Sequence, residues 1–284
     1  MTQAELKEAL SFYGINDEAR FSDLAEALDR LNKSPSVSAA FETARTTYFT
    51  DDTAGVATFW NHLNDEHFFG VPVEPSVYDL FLLSGWDRHK KQMERFHFDS
   101  FQAEANQAGI RFELEHIREA TMHRVLWGVL RINGKITEFG RLTYEYLNLD
   151  GKLPVNTVRI HIPATGKLDD GAVKESLSRA KRDLALQYGV KEVEITCTSW
   201  LLSPQIVALC DESSNIHRFA EHFAVTEGNA CSDEILSYVY HIYEPTDYRT
   251  LPEDTSLQRA VKRHLLAGGD FRLGKGVLKP ETLG

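Results

Sequence analysis

At Asn133-Gly134 the hydrophobic period of this chain changes, and the change limits what each half can fold into. Upstream, apolar residues recur every three or four positions, the repeat of a helix face. Downstream they alternate, the repeat of a half-buried strand. Residues 1 to about 130 therefore read as helical. Leu24, Ala25, Leu28 and Leu31 form one stripe, with Ser22 ahead of it as the expected cap. Ser36 to Phe49 is a second helix, and the run after Pro75, VYDLFLLSGWDRHKKQMERF, is a helix interrupted near Gly85. FELEHIREATMHRVLWGVL continues the helical texture, with an end able to turn into strand.

Beyond the break, RLTYEYLNL, VNTVRIHIP and VKEVEITCTSW carry β-branched and aromatic residues in near-alternation and predict strands. Between the second and third, Val173, Leu177, Ala180, Leu184 and Tyr188 make one helical stripe, with Gly189 as its stop. SPQIVALCDE and NIHRFAEHF predict further helices, and ILSYVYHIYE a return to strand. LQRAVKRHLLAGG is a helix closed by Gly268 and Gly269, and FRLGKGVLKP reads as a small hairpin. Helices first, then strands alternating with helices, favour a helical domain followed by an α/β or α+β domain.

Charge narrows the partners. A formal net charge of −11 argues against a broad basic face for nucleic acid or anionic lipid. The opening MTQAELKEAL has no apolar signal core, and no stretch approaches the roughly 20 apolar residues of a membrane span. Cys197, Cys210 and Cys231 are odd in number and lack metal-ligand spacing, which suits a reducing compartment and predicts a cytoplasmic protein.

Few residues have the spacing of a reactive centre. His62 and His67 flank Asp65 and Glu66 but do not make the HExxH order of a zinc protease. His116 and His123 share a helix face without a third ligand, and His217 and His222 diverge on theirs, so no metal is expected. Ser199 leaves a strand in SWLL without the GxSxG of a nucleophile elbow, which makes it a hydrogen-bonding or core-edge residue, and Trp200 a packing one. The turn at Pro163, Gly166 and Lys167 leads from a strand into the long helix. Gly166 permits positive φ, and a helix start offers N–H groups to a phosphate. Asp169 and Asp170 can satisfy those donors instead, so a phosphate cradle and a plain capped turn both stand.

Three segments, HIPATGKLDDGAVKESLSRA, CTSWLLSPQIVALCDESSNIHRFAEHF and LQRAVKRHLLAGGDFRLGKGVL, together resemble the GNAT-like acyltransferases that pair a helical N-terminal domain with a GNAT-like C-terminal domain. GKITEFGRLTYEYL fits the junction. The resemblance implies an α+β chain, with a helical domain over 1–133 and a GNAT-like mixed β-sheet domain with flanking helices over 134–284. It implies acetyl-CoA or another acyl-CoA as cofactor and a small-molecule acceptor.

In that superfamily the pantetheine arm enters a gap between the fourth and fifth strands. Those strands correspond here to Val158–Ile162 and Val193–Ser199. Cofactor contacts are then expected at Ile162, Pro163, Thr165, Gly166 and Lys167, at Ser199, and at Asn215 on the helix beside the thiol. The chain departs from the family in lacking the Arg/Gln-x-x-Gly-x-Gly/Ala phosphate loop, keeping only Gly166 and Lys167, and in lacking the acid tyrosine, near whose place His222 falls. His161 is the expected base and His222 the expected acid. A coenzyme A-binding or small-ligand module without turnover, and a structural or protein-interaction protein, are the alternatives.

Overall fold

The computed structural model describes residues 1–50, 68–145, 157–163, 166–188, 194–242, 244 and 246–283. His62, Asp65, Glu66, His67, Thr165, Gly189 and Val193, and the side chain of Tyr188, lie outside the described residues. The chain has an α+β architecture, a helical bundle followed by a mixed sheet with flanking helices. It divides into two compact units, one over residues 1–140 together with Glu145, the other over Arg141–Tyr144 and the described residues from 157 onward.

In the first unit, α1 (Gln3–Phe12) starts on a reciprocal cap, the Thr2 hydroxyl accepting from Glu5 N–H and the Glu5 carboxylate accepting from Thr2 N–H. α2 (Glu18–Lys33) buries Leu24, Leu28 and Leu31 as the stripe predicts, but its cap is Asp17, not Ser22. Its polar first turn lies ahead of the stripe, so the apolar pattern marks the start one turn late. α3 (Pro35–Tyr48) follows, then α4 (Ser76–Leu83) and α5 (Trp86–Arg95), broken at Gly85 as expected. α6 (Ser100–Glu115) and α7 (Thr121–Ile132) end the bundle, α7 staying helical to its last turn. Phe41, Phe68, Phe69 and Phe81 pack ring against ring at its centre. The short strand β1 (Ile136–Glu138) closes this unit.

In the second unit, β2 (Thr143–Glu145, of which Thr143 and Tyr144 belong to this unit), β3 (Thr157–His161), β4 (Glu194–Ser199), β5 (Phe223–Ala230) and β6 (Arg272–Leu278) stand in the order β2-β3-β4-β6-β5. β3 and β4 are parallel, and β6 is antiparallel to both β4 and β5. α8 (Asp170–Tyr188) makes the crossover between the parallel strands and buries Val173, Leu177, Ala180 and Leu184. Full burial of such a leucine or valine stabilises by about 1.5–3 kcal/mol. Ser176, on the same helix, hydrogen-bonds Leu142 N–H at 3.2 Å and the Tyr144 hydroxyl at 3.1 Å, which fixes the helix over β2.

Two expectations are overturned by the structure, and one strand lacks any sequence signal. The segment read as a strand, ILSYVYHIYE, lies largely in helix α11 (Ser232–Tyr240), which ends at His241 with φ +58. Asp233 and Glu234 in its first turn carry the helix-start signal that the β-branched and aromatic residues mask. The tail is not a hairpin: β6 is one strand inserted between β4 and β5. Gly274 and Gly276 resemble turn residues, yet they sit mid-strand, because a Cβ on Gly274 would lie 2.0 Å from the carbonyl oxygen of Leu202. β5 has no counterpart in the sequence reading; this edge strand, FAVTEGNA, is too polar to alternate. The helices expected around SPQIVALCDE, NIHRFAEHF and LQRAVKRHLLAGG are present as α9 (Pro204–Leu209), α10 (Asn215–Glu221) and α12 (Ser256–Leu266).

Candidate functional site

The parallel strands stop pairing before β4 ends. Their register runs from Thr157 opposite Glu194 to Ile160 opposite Cys197. β4 continues through Thr198 and Ser199, held on its other side by Lys275 and Gly274 of β6. β3 ends at His161, and Ile162 and the half-buried Pro163 leave it. Proline has no N–H to offer a ladder, so the pairing has a chemical stop on the β3 side. Buried Val158, Ile160, Ile195 and Cys197 pin the paired portion just upstream. Among the described residues the parallel register thus ends at Ile160 opposite Cys197, while β4 continues to Ser199.

The loop beyond Pro163 brings Gly166 and Lys167 to the surface. Gly166 adopts φ +70, and the space around a Cβ there is empty. Asp169 then caps α8, its Oδ1 accepting from Ala172 N–H at 3.1 Å and its carbonyl from Val173 N–H at 2.9 Å. Capping therefore occupies the helix's own first turn, while the N–H groups of the loop ahead of Asp169 stay outside it. Arg141, half-buried, underlies this loop. Its Nε donates to the Lys167 carbonyl at 2.9 Å and its Nη2 to the Gly166 carbonyl at 3.5 Å. Burial pushes the Arg141 guanidinium below the usual arginine range.

His222 ends α10 with only 7% of its surface exposed. Its Nε2 is 2.9 Å from Asp170 Oδ1, and Lys174 Nζ is 2.8 Å from Asp170 Oδ2. The Lys174 hydrogen bond, offset in part by desolvation and supported by His222, holds the Asp170 carboxyl below its ordinary value. The His222 carbonyl accepts from Lys279 N–H at 2.9 Å and the Thr282 hydroxyl at 3.3 Å, which anchors the end of the helix.

His161 sits at the end of β3, half-buried. The Ser199 hydroxyl accepts from Leu201 N–H at 3.1 Å and caps the short turn Trp200–Leu202, the hydrogen-bonding use the sequence suggests. Trp200 stacks on Tyr238 with ring centroids 5.8 Å apart. Asn215 is exposed at the first position of α10, behind the Ser214 cap.

The strand ends and the loop thus gather Ile162, Pro163, Gly166, Lys167 and Ser199 around one end of the sheet, whereas Asn215 has no hydrogen bond to any of them. The sequence does not reveal Arg141, nor the pairing of Asp170 with His222. The only local mark of Arg141 is the preceding Gly140, whose φ of +86 turns the chain. Among the described residues no group of three or more His, Cys, Asp or Glu side chains is arranged to hold a metal, and no helix is long and apolar enough to cross a membrane.

Comparison with known proteins adds the family. Residues 136–278 match the model of the GNAT-like C-terminal domain. No curated protein matches the chain. Among solved structures, a mutant acyltransferase in complex with octanoyl-CoA is 21% identical, with a TM-score of 0.68, and the match covers 98% of this chain and 89% of that one. An acyltransferase in complex with decanoyl-CoA is 18% identical with a TM-score of 0.63, covering 98% and 99%. Another, bound to decanoyl-CoA and teicoplanin, is 20% identical with a TM-score of 0.60, covering 98% and 100%.

Proposed function

Because this chain belongs to the GNAT-like C-terminal domain family, we propose that it is an acyl-CoA-dependent acyltransferase acting on a small amine or related acceptor. The observation that carries this reading is the end of the parallel register at Ile160 opposite Cys197, while β4 runs on to Ser199. The complexes of similar folds with octanoyl-CoA and decanoyl-CoA support a medium-chain acyl donor. The helical part over 1–133 and the sheet part over 134–284 are proposed as the two domains, and the three free thiols suit a cytoplasmic site.

In this reading the acyl-pantetheine arm is a substrate lying along the edges of Ile162 and Ser199, with the pyrophosphate on the loop N–H groups around Gly166 and Lys167. Backbone donors near Ile162 polarise the thioester carbonyl. The acceptor nitrogen attacks that carbon, a C–N bond forms, and the C–S bond breaks. His161 takes the ammonium proton and His222, oriented by Asp170, returns one to the departing thiolate. No partner for His222 Nδ1 stands among the described residues, so that nitrogen is the one free for transfer.

A second reading, a coenzyme A-binding module without turnover, is favoured by the missing glycine-rich loop and the carboxylates of Asp169 and Asp170 beside it. Isothermal titration with acetyl-CoA, octanoyl-CoA, decanoyl-CoA and desulfo-coenzyme A tests binding, and thiol release with a panel of amines tests turnover. Binding with thiol release supports the transferase. Binding without release for any amine supports the module, and no binding leaves a structural or interaction role.

A further inference from the structure

Among the described residues Arg141 bonds two consecutive carbonyls and no carboxylate. Its Nε and Nη2 reach the oxygens of Lys167 and Gly166, while its Nη1 is buried without a hydrogen-bond partner among the described residues. A half-buried guanidinium is costly to desolvate, and neutral carbonyls repay less of that cost than a carboxylate does. The arrangement accordingly leaves a full positive charge under the loop, in a chain whose net charge is −11.

The peptide unit fixes the rest of the geometry. In a trans peptide the C=O and the following N–H point in opposite directions; the described chain has no cis bonds. Holding the Gly166 carbonyl against Arg141 therefore turns the Lys167 N–H away from it, and holding the Lys167 carbonyl does the same to the Leu168 N–H. Two successive amides facing one way form an anion-binding concavity. The positive φ of Gly166 is the turn that lets the chain enter it.

The neighbouring charges agree with this. Lys167 is exposed on the same loop. Asp169 is engaged with Ala172 N–H, and Asp170 is paired with Lys174 at 2.8 Å and hydrogen-bonded to His222 Nε2 at 2.9 Å. Both carboxylates that argue against an anion here are thus committed to the helix or to cations.

Resting on the acyl-CoA reading above, we propose that Arg141 is the positioning residue of a pyrophosphate cradle, holding two peptide planes so that the Lys167 and Leu168 N–H groups face the donor's pyrophosphate. It supplies from another strand connection what the missing phosphate-loop residues do not. Lysine cannot replace it, because one ammonium lacks the fixed fork that spans two carbonyls.

The test compares octanoyl-CoA with S-octanoyl-pantetheine, which lacks the pyrophosphate, on the full chain and on Arg141→Lys and Arg141→Met. Wild type favours octanoyl-CoA in kcat/KM, and both variants lower that preference about tenfold, the worth of one ordinary hydrogen bond. Titration with coenzyme A shows a matching rise in Kd. General damage to the fold lowers kcat/KM for both donors and leaves their ratio where it was, so a ratio unchanged in the variants, while the wild type binds coenzyme A, overturns the cradle alone. A wild type that does not bind coenzyme A overturns the acyl-CoA reading and the cradle with it. If Arg141→Met does not fold, Arg141→Lys decides.

Discussion

The imidazole of His222 meets the carboxylate of Asp170 across 52 positions of sequence, Nε2 to Oδ1 at 2.9 Å, joining the last turn of α10 to the first residue of α8. The contact orients a nearly buried ring and ties it to the helix that follows the candidate cofactor loop. His222→Ala is expected to lower kcat about 100-fold, the low end for loss of a general acid, while the Kd for coenzyme A stays within about threefold. Asp170→Asn removes only the orienting charge and lowers kcat less. Stopped-flow thiol release beside isothermal titration separates the two quantities. Acyl transfer at the wild-type rate in His222→Ala would remove the acid role.

Arg131 lies between two carboxylates in the helical unit, 2.7 Å from Glu113 and 2.7 Å from Glu138, with Arg124 closing on Glu113 at 3.3 Å. All three residues of the central triad are at least 95% removed from solvent. Truncating a partner strands buried charge, so Arg131→Met is expected to cost about 3–5 kcal/mol. Chemical denaturation measures this. A loss under 1 kcal/mol would mean that the two glutamates find other partners.

Gly274 is where the turn after β4 presses on β6. A Cβ there would stand 2.0 Å from the Leu202 carbonyl oxygen, a backbone atom with no rotamer to retreat into. Gly274→Ala is expected to destabilise the second unit by about 1–3 kcal/mol and to disturb Ser199, its register partner. A melting temperature within a degree of wild type would show that the turn yields.

His89 is the titration point of the helical core. It is buried against the Tyr13 hydroxyl, Nδ1 to oxygen 3.2 Å, and desolvation, aided by the Arg131 charge, lowers its pKa to about 3 from 6.5. The unfolded chain thus binds a proton that the folded chain refuses between those values. Stability is complete above about pH 6.5 and falls with acid by about 1.4 kcal/mol per pH unit for this one group. His89→Phe should flatten that part of the stability curve in urea titrations from pH 7 to 4. An unchanged slope would assign the acid sensitivity to other groups.

Legibility followed the range of the causes. The stripes of α2, α8 and α12 stood in the sequence because each is a local repeat read against one buried face. α11 did not, because Ile235, Tyr238, Val239 and Tyr240 have the composition of a strand and outweigh the acidic first turn, while the core that Ile235, Leu236 and Tyr240 share with Val261 and Phe271 is not local. β5 was hidden by its position at the sheet edge, where polar residues are tolerated. The loop proposed for the cofactor was visible as a strand, a proline, a glycine and a helix start. Its arginine was not, since Arg141 is 25 and 26 positions from the carbonyls it holds.

By itself the sequence determined the two textures on either side of Asn133-Gly134, the crossover helix between two strands, and the resemblance that named the expected chemistry. Periodicity and turn residues act over a few positions, and a reader of the chain sees that range. Tertiary structure alone decided where β3 and β4 stop pairing, which glycine is a turn and which is a close approach, and which charges stand beside the loop. Those depend on groups brought together only when α8 folds back over the sheet and seats Asp170 against His222.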